Sequence, residues 1–548
     1  MSNPFQKRAI SPMAQNTFAP SSSAQATFLW HDYETGGTHK QLDRPTQFAA
    51  VRTDLDLNIV GQEVMIYCKP SPETLMRPIA AAITGITPQE CEAKGMLDVE
   101  FCREVLAELG RPGTCGVGYN TISFDDEVTR NMLYRNFHDP YEREWKSGNS
   151  RWDLITAVRL FAALRPDGIV WPVKDDGKPS LRLEDLAKAN GLKQERAHDA
   201  LSDVYATIQL AQLLRKTNRK LWDFAFGLRE KAAVARLMNV PSPSPFVHVA
   251  GYHGHNGTAV MFPIAMHPTN KNGVISLDLG CDLAAVIRLS AEDIASRLFG
   301  GAGADAASAD QANKANKGAE PEDALEIVSE AKSARLPLTL IQTNKSPSIS
   351  PLNGLRSVDF ERLGYTEEEK STILANKAFL LENPKIMKDL ASTVAEAFAL
   401  GSAKFDAPPL DPELGIYSGF ASREDKAVMD RVRRASPEDL AGNDPSLIFE
   451  DEKLNDLLFR YRARNWPESL SASEKSEWLE HCKARLTTNT PATTVTLDEY
   501  RAGIDELAQD QKHAAKGPLF ADLKAWADQL ETRWAVKIPA AGRGLQPG

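Results

Sequence analysis

The stretch Phe28-Leu29-Trp30-His31-Asp32-Tyr33-Glu34 joins a short apolar run to a cluster of polar residues. The apolar run predicts a buried β-strand, and alternate side chains of a strand point to the same face. Asp32 and Glu34 therefore project together at the strand end. Two carboxylates on one face repel each other unless a cation neutralises them, and oxygen ligands favour Mg²⁺ or Mn²⁺ over zinc. An isolated Asp-x-Glu pair, however, is more often a solvated strand end.

The residues that follow predict an α/β domain that ends near residue 217. Strand-like runs at 47–55 and 63–68 are bounded by polar turns, and Gly116-Val117-Gly118 reads as the end of another buried strand. Between and after these runs the apolar spacing is helical. The predicted helices are 100–109, 126–136, 152–164, 183–190 and 199–216.

The remainder of the chain predicts two further domains. Short β-type runs at 246–268, 273–279 and 336–343 indicate a small β-rich domain, and 300–320 lacks large apolar residues, which is typical of a disordered surface loop. From about residue 366 the pattern is helical. The predicted organisation is a disordered leader 1–26, an α/β domain 27–217, a β-rich domain 218–365 with the insert 300–320, and a helical domain 366–541.

Composition limits the class of protein. The 548 residues are 42% hydrophobic and 25% charged, a balance typical of a soluble multidomain protein. The net charge of −10 excludes a global basic field, although a local basic groove beside an acidic metal site stays possible. Six scattered cysteines form no CxxC pair, and no apolar run resembles a signal peptide or a membrane span. We expect a cytoplasmic protein.

Two later motifs add chemistry-bearing side chains. Asp125 follows Phe124 at the start of a predicted helix, where an aspartate also serves as a helix cap. His198 lies at the start of the predicted helix 199–216, and Asp203 lies in the second turn of that helix. The histidine can therefore lie over a metal ion that Asp203 helps to hold. For each motif alone, capping or a surface histidine is the more common explanation. The segment His253-Gly254-His255 is better explained as a polar turn than as a metal site.

The order Asp-x-Glu, Asn-x-x-x-Phe-Asp and Ala-His-Asp-Ala-x-x-Asp resembles the DEDDh 3′–5′ exonucleases. Longer runs resemble bacterial exonuclease I in particular, and the similarity covers most of the chain from about residue 27. The runs that carry it include 31–35, 42–45, 83–90, 124–131, 134–137, 150–154 and 458–465. The resemblance implies a ribonuclease H-like exonuclease domain, then a small SH3-like β-rich domain and an all-helical C-terminal domain.

The resemblance also implies roles for the matching positions. Asp32, Glu34, Asp125 and Asp203 would hold two Mg²⁺ ions, which Mn²⁺ can replace, and His198 would be the general base. The expected reaction hydrolyses single-stranded DNA from its 3′ end to 5′-mononucleotides, in DNA repair and recombination. Thr35 and Phe124 would contact DNA. The family commonly has an aromatic residue where this chain has Gly36, so a stacking contact to the terminal base is in doubt.

Additional binding residues are predicted outside the catalytic motifs. Arg460, Tyr461, Arg462 and Arg464 alternate charge with an aromatic ring, a pattern typical of single-strand binding but equally of a helix with snorkelling arginines. Arg130 is a further candidate for DNA contact, with a surface salt bridge as the alternative.

A protein partner is implied as well. The family docks the acidic, Phe-ended tail of the single-stranded-DNA-binding protein, and Arg165 and Arg356 lie in matching contexts. They can equally be ordinary surface arginines. We expect a monomer with no membrane partner.

Two other functions compete with the DNA exonuclease. An enzyme with the same metal site can trim RNA or short oligoribonucleotides, since the choice depends on how a pocket treats the 2′-hydroxyl. The long C-terminal portion argues against a minimal trimmer. A non-catalytic single-strand-binding scaffold is the third reading, and it predicts the loss of at least one of the five site residues, all of which are present.

Overall fold

A computed structural model describes residues 26–175, 177–194, 199–299, 336–402, 411–441 and 444–534. The predicted leader (apart from residue 26), the insert 300–320 and His198 lie outside these residues. Among the helices that are described, none is long and apolar enough to cross a membrane.

A five-stranded mixed sheet forms the centre of the N-terminal domain. Its strand order is β3-β2-β1-β4-β5, with β1 antiparallel to β2 and parallel to β4. The central strand β1 is flanked on both sides, and the side chains of Phe28 and Trp30 are almost completely buried. The strands are β1 Thr27–Thr35, β2 Pro45–Thr53, β3 Val64–Tyr67, β4 Thr114–Gly118 and β5 Ser150–Asp153.

Helices cover this sheet, as the alternating pattern predicts. One difference concerns Trp152 and Asp153, which were predicted to be helical but lie in β5. Trp152 packs in the core against Trp222, with ring centroids 5.0 Å apart, and the Asp153 carboxylate caps the following helix at the N–H of Ile155. The helices of this part are α1 Pro78–Thr84, α2 Pro88–Lys94, α3 Asp98–Leu109, α4 Asp125–Arg135, α5 Leu154–Leu164, α6 Leu183–Ala189, α7 Ala200–Thr217, α8 Arg219–Gly227 and α9 Lys231–Leu237.

A second, fully antiparallel sheet follows, with the order β10-β6-β7-β8-β9. The predicted β-type run 246–268 is two strands joined by a tight turn around His255 and Asn256, both of which have positive φ. This confirms the turn predicted for His253-Gly254-His255. The strands are β6 Phe246–Val249, β7 Thr258–Met266, β8 Gly273–Asp278, β9 Leu338–Gln342 and β10 Ile349–Pro351.

The helices after β8 divide into two groups. Those up to residue 402 share an apolar core with the second sheet, through side chains such as Val394 and Phe398. Those from residue 423 onward form the C-terminal part. The first group is α10 Leu283–Ile287, α11 Ala291–Phe299, α12 Ser357–Arg362, α13 Glu367–Glu382 and α14 Pro384–Ser402. The second is α15 Arg423–Arg434, α16 Pro437–Ala441, α17 Glu452–Asn465, α18 Ala472–Thr487, α19 Leu497–Gln509 and α20 Gly517–Trp534.

A buried ionic network joins the C-terminal helices to the N-terminal domain. Glu73 accepts Arg44 at 3.2 Å and Arg464 of α17 at 2.6 Å, and Glu413 also pairs with both arginines. The Glu73 side chain has no exposed surface. Burial alone would raise the pKa of Glu73, but Arg464, Arg44 and Arg485 outweigh that effect and hold it far below its usual value. The network therefore forms only when the C-terminal helices are packed against the N-terminal domain.

Candidate active site

Strand β1 brings Asp32 and Glu34 to one face, as the sequence predicts. Their carboxylate oxygens and that of Asp203 lie within 4.8 Å of one another. The pairing of β1 with β2 shifts register between Glu34 and Thr35, which is a bulge at the edge of this cluster. Helix α7 supplies Asp203, 169 residues after Glu34 in the chain, so only the fold brings the three carboxylates together.

Asp125 joins the cluster from helix α4. It is the first residue of α4, and its Oδ1 accepts a hydrogen bond from the backbone N–H of Tyr33 at 3.1 Å. The residue before the helix, Phe124, makes no side-chain cap. The Asp125 carboxylate therefore contacts β1 at Tyr33, the residue between Asp32 and Glu34.

The loop before Asp125 explains this placement. A Cβ at Gly118 would lie 2.5 Å from the carbonyl oxygen of His31, so β4 can approach β1 this closely only with glycine there. Asn120 adopts a positive φ of 62°. The Asp153 carboxylate accepts the N–H groups of Asn120 and Ile122 at 2.8 and 3.0 Å. These contacts fix the turn that directs Asp125 toward β1.

The structure shows which aspartate caps helix α7, at the motif that contains His198 and Asp203. Asp199 is the cap, because its side chain accepts the N–H of Ser202 at 3.2 Å. Asp203, one turn later, faces the carboxylate cluster and accepts a hydrogen bond from Gln194 at 2.7 Å. His198 lies outside the described residues, so its predicted role as base stays a prediction.

Crowding of the four carboxylates changes their proton affinity. Burial raises the pKa of Asp32 well above its usual value, and the neighbouring charges of Asp125, Glu34 and Asp203 raise it further. Burial and the charge of Asp126 raise the pKa of Asp125 to about 8. A proton or a cation must therefore neutralise the cluster. An all-oxygen donor set of this kind fits a hard divalent cation, so these residues are suited to hold one.

A second charged group adjoins the site through Asp126, the neighbour of Asp125 in α4. Asp126 is buried and pairs with Arg143, and with Arg151 at 2.8 Å. Burial would raise the pKa of Asp126, but the two arginines hold it far below its usual range, so the group stays ionised. Burial and the charge of Arg143 lower the pKa of His31 to about 4, which leaves that ring neutral. The sequence analysis missed Arg143, because its partner Asp126 lies 17 residues earlier and no local pattern links the two.

The structure buries two of the four residues of the DNA-binding stripe predicted on α17. Tyr461 is 1% exposed and packs edge-on against Phe137, with ring centroids 5.3 Å apart. The Arg464 side chain is 4% exposed and belongs to the interdomain network with Glu73. Neither side chain presents a surface on which a base or a phosphate could rest.

The remaining predicted arginines also pair within the protein. Arg460 contacts Asp411 at 2.8 Å, and Arg462 contacts Glu474 at 2.7 Å. Arg130 is buried between Glu127 and Glu144, as the salt-bridge alternative describes. Contact of Arg130, Arg460 and Arg462 with DNA stays a prediction. The alternating pattern reflects a helix that buries one aromatic face and neutralises its cations internally.

Thr35 and Phe124 lie next to the carboxylate cluster, as predicted. Thr35 is half-buried, and its hydroxyl donates to the carbonyl oxygen of Gly37 at 2.7 Å. Phe124 is half-buried and immediately precedes Asp125. Their contact with DNA stays a prediction.

The two arginines predicted to bind a partner meet at one buried carboxylate. Asp359 has no exposed side-chain surface and accepts both Nε and Nη2 of Arg356 at 2.9 Å, with Arg165 Nη1 at 3.5 Å. Arg362, which the sequence reasoning missed, also reaches Asp359 at 3.4 Å. Three cations converge on one carboxylate, and all three are partly exposed. The cluster therefore carries excess positive charge at the surface.

Comparison with known proteins gives three consecutive family matches. The family described as "Exonuclease" matches residues 29–211, "Exonuclease I SH3-like domain" matches 229–312, and "Exonuclease I C-terminal domain" matches 410–530. Exodeoxyribonuclease I of Escherichia coli (strain K12) is 39% identical over 508 residues, which are 92% of this chain and 98% of that protein.

Solved structures agree over 92% of the chain. A zinc-bound form of Escherichia coli ExoI in complex with single-stranded DNA has a TM-score of 0.78 at 38% identity, covering 92% of this chain and 100% of that one. A structure described as an ExoI/SSB-Ct complex has the same TM-score, identity and coverage. With its three domain matches and these relatives, the chain belongs to the exodeoxyribonuclease I family and is an exonuclease that acts on DNA.

Proposed function

We propose that this protein removes nucleotides one at a time from the 3′ end of single-stranded DNA and releases 5′-mononucleotides. The observation that carries the proposal is the grouping of Asp32, Glu34 and Asp203 oxygens within 4.8 Å, with Asp125 held beside them by Tyr33. The membership of the exodeoxyribonuclease I family, and a relative described in complex with single-stranded DNA, support the substrate.

Each residue of the site then has one role. Asp32, Glu34, Asp125 and Asp203 hold two Mg²⁺ ions, and Mn²⁺ substitutes. Bound there, two such ions supply charge stabilisation for the attacking water and for the leaving 3′ oxygen. His198 accepts a proton from that water through an imidazole nitrogen, since its unperturbed pKa lies near neutrality. Thr35 and Phe124 bound the space for the terminal nucleotide and contact it.

The test uses a strand labelled at its 5′ end. Purified protein is incubated with single-stranded DNA in Mg²⁺ or in EDTA, beside duplex DNA and a matched RNA, and His198→Ala is run in parallel. We expect a ladder that shortens from the 3′ end of single-stranded DNA only, that needs Mg²⁺ and that is lost in the variant. Equal digestion of RNA would favour the oligoribonucleotide trimmer, and a mobility shift without cleavage would favour the binding scaffold.

We also propose that the arginine cluster of Arg165, Arg356 and Arg362 binds the acidic tail of the single-stranded-DNA-binding protein. The excess positive charge around Asp359 supports this, because tail carboxylates can form charge-assisted hydrogen bonds with the partly exposed guanidinium groups. A relative described in complex with SSB-Ct supports the same partner.

We further propose that the enzyme acts as a cytoplasmic monomer in DNA repair and recombination. The expected mass in light scattering is that of one chain, 60.2 kDa. A mass of two chains would overturn the monomer.

A further inference from the structure

Helix α4, which carries Asp125, begins without a side-chain cap at Phe124. Its first two residues are held through their own carboxylates instead. Asp125 accepts the N–H of Tyr33 in β1 at 3.1 Å, and Oδ2 of Asp126 accepts Nη1 of Arg151 in β5 at 2.8 Å. The position of Asp125 in the candidate active site therefore depends on what holds Asp126.

The guanidinium group of Arg151 is bound on three sides. Nη1 donates to Asp126, Nε lies 3.2 Å from Oε2 of Glu144, and Nη2 donates to the carbonyl oxygen of Asn344 at 3.3 Å. Asn344 lies in the turn between β9 and β10, so the SH3-like domain supplies one of the three contacts. Because the guanidinium is planar and its donors have fixed directions, three partners define its position more closely than a single ion pair would.

Glu144 extends this contact to the second turn of α4. It lies in the short 3₁₀ helix Glu142–Glu144, and its two oxygens accept Nε and Nη2 of Arg130 at 2.7 and 2.9 Å. Arg151 is therefore joined to α4 at two successive turns, directly through Asp126 and through Glu144 to Arg130. Both contacts hold the end of the helix that carries Asp125.

A second arginine keeps Asp126 paired independently of Arg151. Arg143 donates from Nη2 to Oδ1 of Asp126, whereas Arg151 contacts Oδ2. Substitution of Arg151 alone therefore leaves Asp126 with a partner and does not create an unpaired buried charge, which would be strongly destabilising. The contribution of Arg151 to the site can thus be measured in a folded chain.

Loss of Arg151 has two effects of opposite sign on cation binding. Removing its positive charge strengthens the attraction of the carboxylate cluster for a divalent cation. Removing its contacts frees the start of α4, so that Asp125 is placed less exactly, and this weakens binding. Groups that orient metal ligands typically contribute about ten- to hundredfold to metal affinity, so we expect the geometric effect to be the larger one.

We propose that Arg151 is a positioning residue of the exonuclease site, which places Asp125 for a divalent cation by holding Asp126, Glu144 and the carbonyl group of Asn344 together. The inference rests on the proposed function, because the cation is the one that the nuclease reaction uses. Arg151 acts through Asp126 rather than on the strand. Since Asn344 belongs to the SH3-like domain, the docked SH3-like domain contributes to the affinity of the site for its cation.

The test compares two variants that separate geometry from charge. Arg151→Lys keeps the charge but replaces the planar fork by one nitrogen atom, which cannot reach the partners of three separate guanidinium nitrogens. Arg151→Gln removes the charge as well. Isothermal titration calorimetry with Mn²⁺ in the absence of DNA measures the affinity, and we expect both variants to bind Mn²⁺ at least about tenfold more weakly than the wild-type chain. Wild-type affinity in Arg151→Lys, with equal or tighter binding in Arg151→Gln, overturns the inference.

Kinetics and strand binding give a second readout. We expect Arg151→Lys to lower kcat on single-stranded DNA at low Mg²⁺, to recover kcat as Mg²⁺ is raised, and to leave KM for the strand unchanged. The affinity for a fluorescent oligothymidylate in EDTA should equal that of the wild-type chain. A variant that loses strand affinity in EDTA to the same extent as Mn²⁺ affinity contradicts a role confined to placing Asp125.

Arg52→Lys is the matched control. Arg52 is a buried arginine of the same sheet, and it donates to the hydroxyls of Thr27 and Thr114 at 2.8 and 2.9 Å, at the end of β1 away from Glu34. We expect Arg52→Lys to lower stability in urea, as Arg151→Lys does, and to leave Mn²⁺ affinity unchanged. Equal losses of Mn²⁺ affinity in the two variants would trace the effect to general destabilisation and overturn the inference.

The wild-type chain separates this inference from the proposed function. A wild-type chain that binds Mn²⁺ and degrades the strand, with variants of Arg151 that bind Mn²⁺ equally well, overturns the inference alone. A wild-type chain that neither binds Mn²⁺ nor degrades the strand overturns the proposed function itself.

Discussion

The backbone N–H of Tyr33 donates a hydrogen bond to Oδ1 of Asp125, 92 residues later in the chain, at 3.1 Å. Tyr33 lies between Asp32 and Glu34, so this bond sets the position of α4 relative to the two strand carboxylates. The ring of Tyr33 adds to the contact, since its hydroxyl accepts from Thr129 on the next turn of α4 at 3.0 Å. A backbone hydrogen bond therefore holds Asp125 beside the Asp32–Glu34 pair, so their relative position does not depend on a metal ion alone.

The metal-free protein is expected to lose stability as pH rises. Burial and neighbouring charge raise the pKa of Asp125 to about 8, so the folded state holds a proton there that the unfolded chain, with a pKa of about 3.9, releases. Stability from this group is complete below pH ~4 and is lost as pH rises through about 8. Thermal unfolding in EDTA should show a Tm that falls between about pH 4 and pH 8 and levels off above it, and Mg²⁺ should reverse the fall.

Asp125→Asn is the matched variant for this effect. The amide oxygen can still accept the N–H of Tyr33, while the charge and the proton are gone. We expect Tm in EDTA to depend less on pH, the rise in Tm on adding Mg²⁺ to be smaller, and nuclease activity to be lost. A wild-type Tm that is independent of both pH and Mg²⁺ would contradict the carboxylate cluster as a cation site.

Glu73→Gln is expected to destabilise the chain by about 3–5 kcal/mol, because it removes one partner from a buried ion-pair network and leaves Arg44 and Arg464 undercompensated. Urea unfolding followed by circular dichroism measures the change. Arg219→Ala is the control, since its exposed pair with Asp223 should contribute less than about 1 kcal/mol. Equal effects of the two variants would show that the interdomain network does not hold the C-terminal helices in place.

Gly36 and Gly37 are expected to respond differently to alanine. A Cβ at Gly36 would lie 3.4 Å from its nearest neighbour, Met76 Cα, which is ordinary contact. A Cβ at Gly37 would lie 2.3 Å from Oδ2 of Asp43, a buried group that already accepts the N–H of His39 at 2.7 Å. Gly37→Ala should therefore lower Tm by several degrees and reduce nuclease activity, whereas Gly36→Ala should change neither. The reverse order would refute this geometry.

Arg165→Ala combined with Arg356→Ala is expected to weaken binding of an acidic, Phe-ended peptide by at least about tenfold, since each charge-assisted hydrogen bond contributes roughly 1.5–3 kcal/mol. Isothermal titration calorimetry measures the affinity, and nuclease activity on naked DNA should stay unchanged. Arg362→Ala should weaken binding in the same direction. Unchanged peptide affinity in the double variant would remove the support for this site.

The sequence by itself determined the chemistry-bearing residues and their local elements. Strand periodicity placed Asp32 and Glu34 on one face. The helical pattern placed Asp125 at the start of one helix and Asp203 in the second turn of another, because periodicity and capping are properties of neighbouring residues. The same local information misassigned Trp152 to a helix. It also could not separate an arginine that is exposed from one that is paired inside the protein.

Only the tertiary structure decided which of those residues meet. The contact between Asp203 and Glu34, the burial of Tyr461 and Arg464, and the convergence of Arg165, Arg356 and Arg362 on Asp359 all join positions far apart in the chain. The physical reason is that ion pairing and burial depend on the distance between groups in space, which the spacing of residues along a chain does not specify.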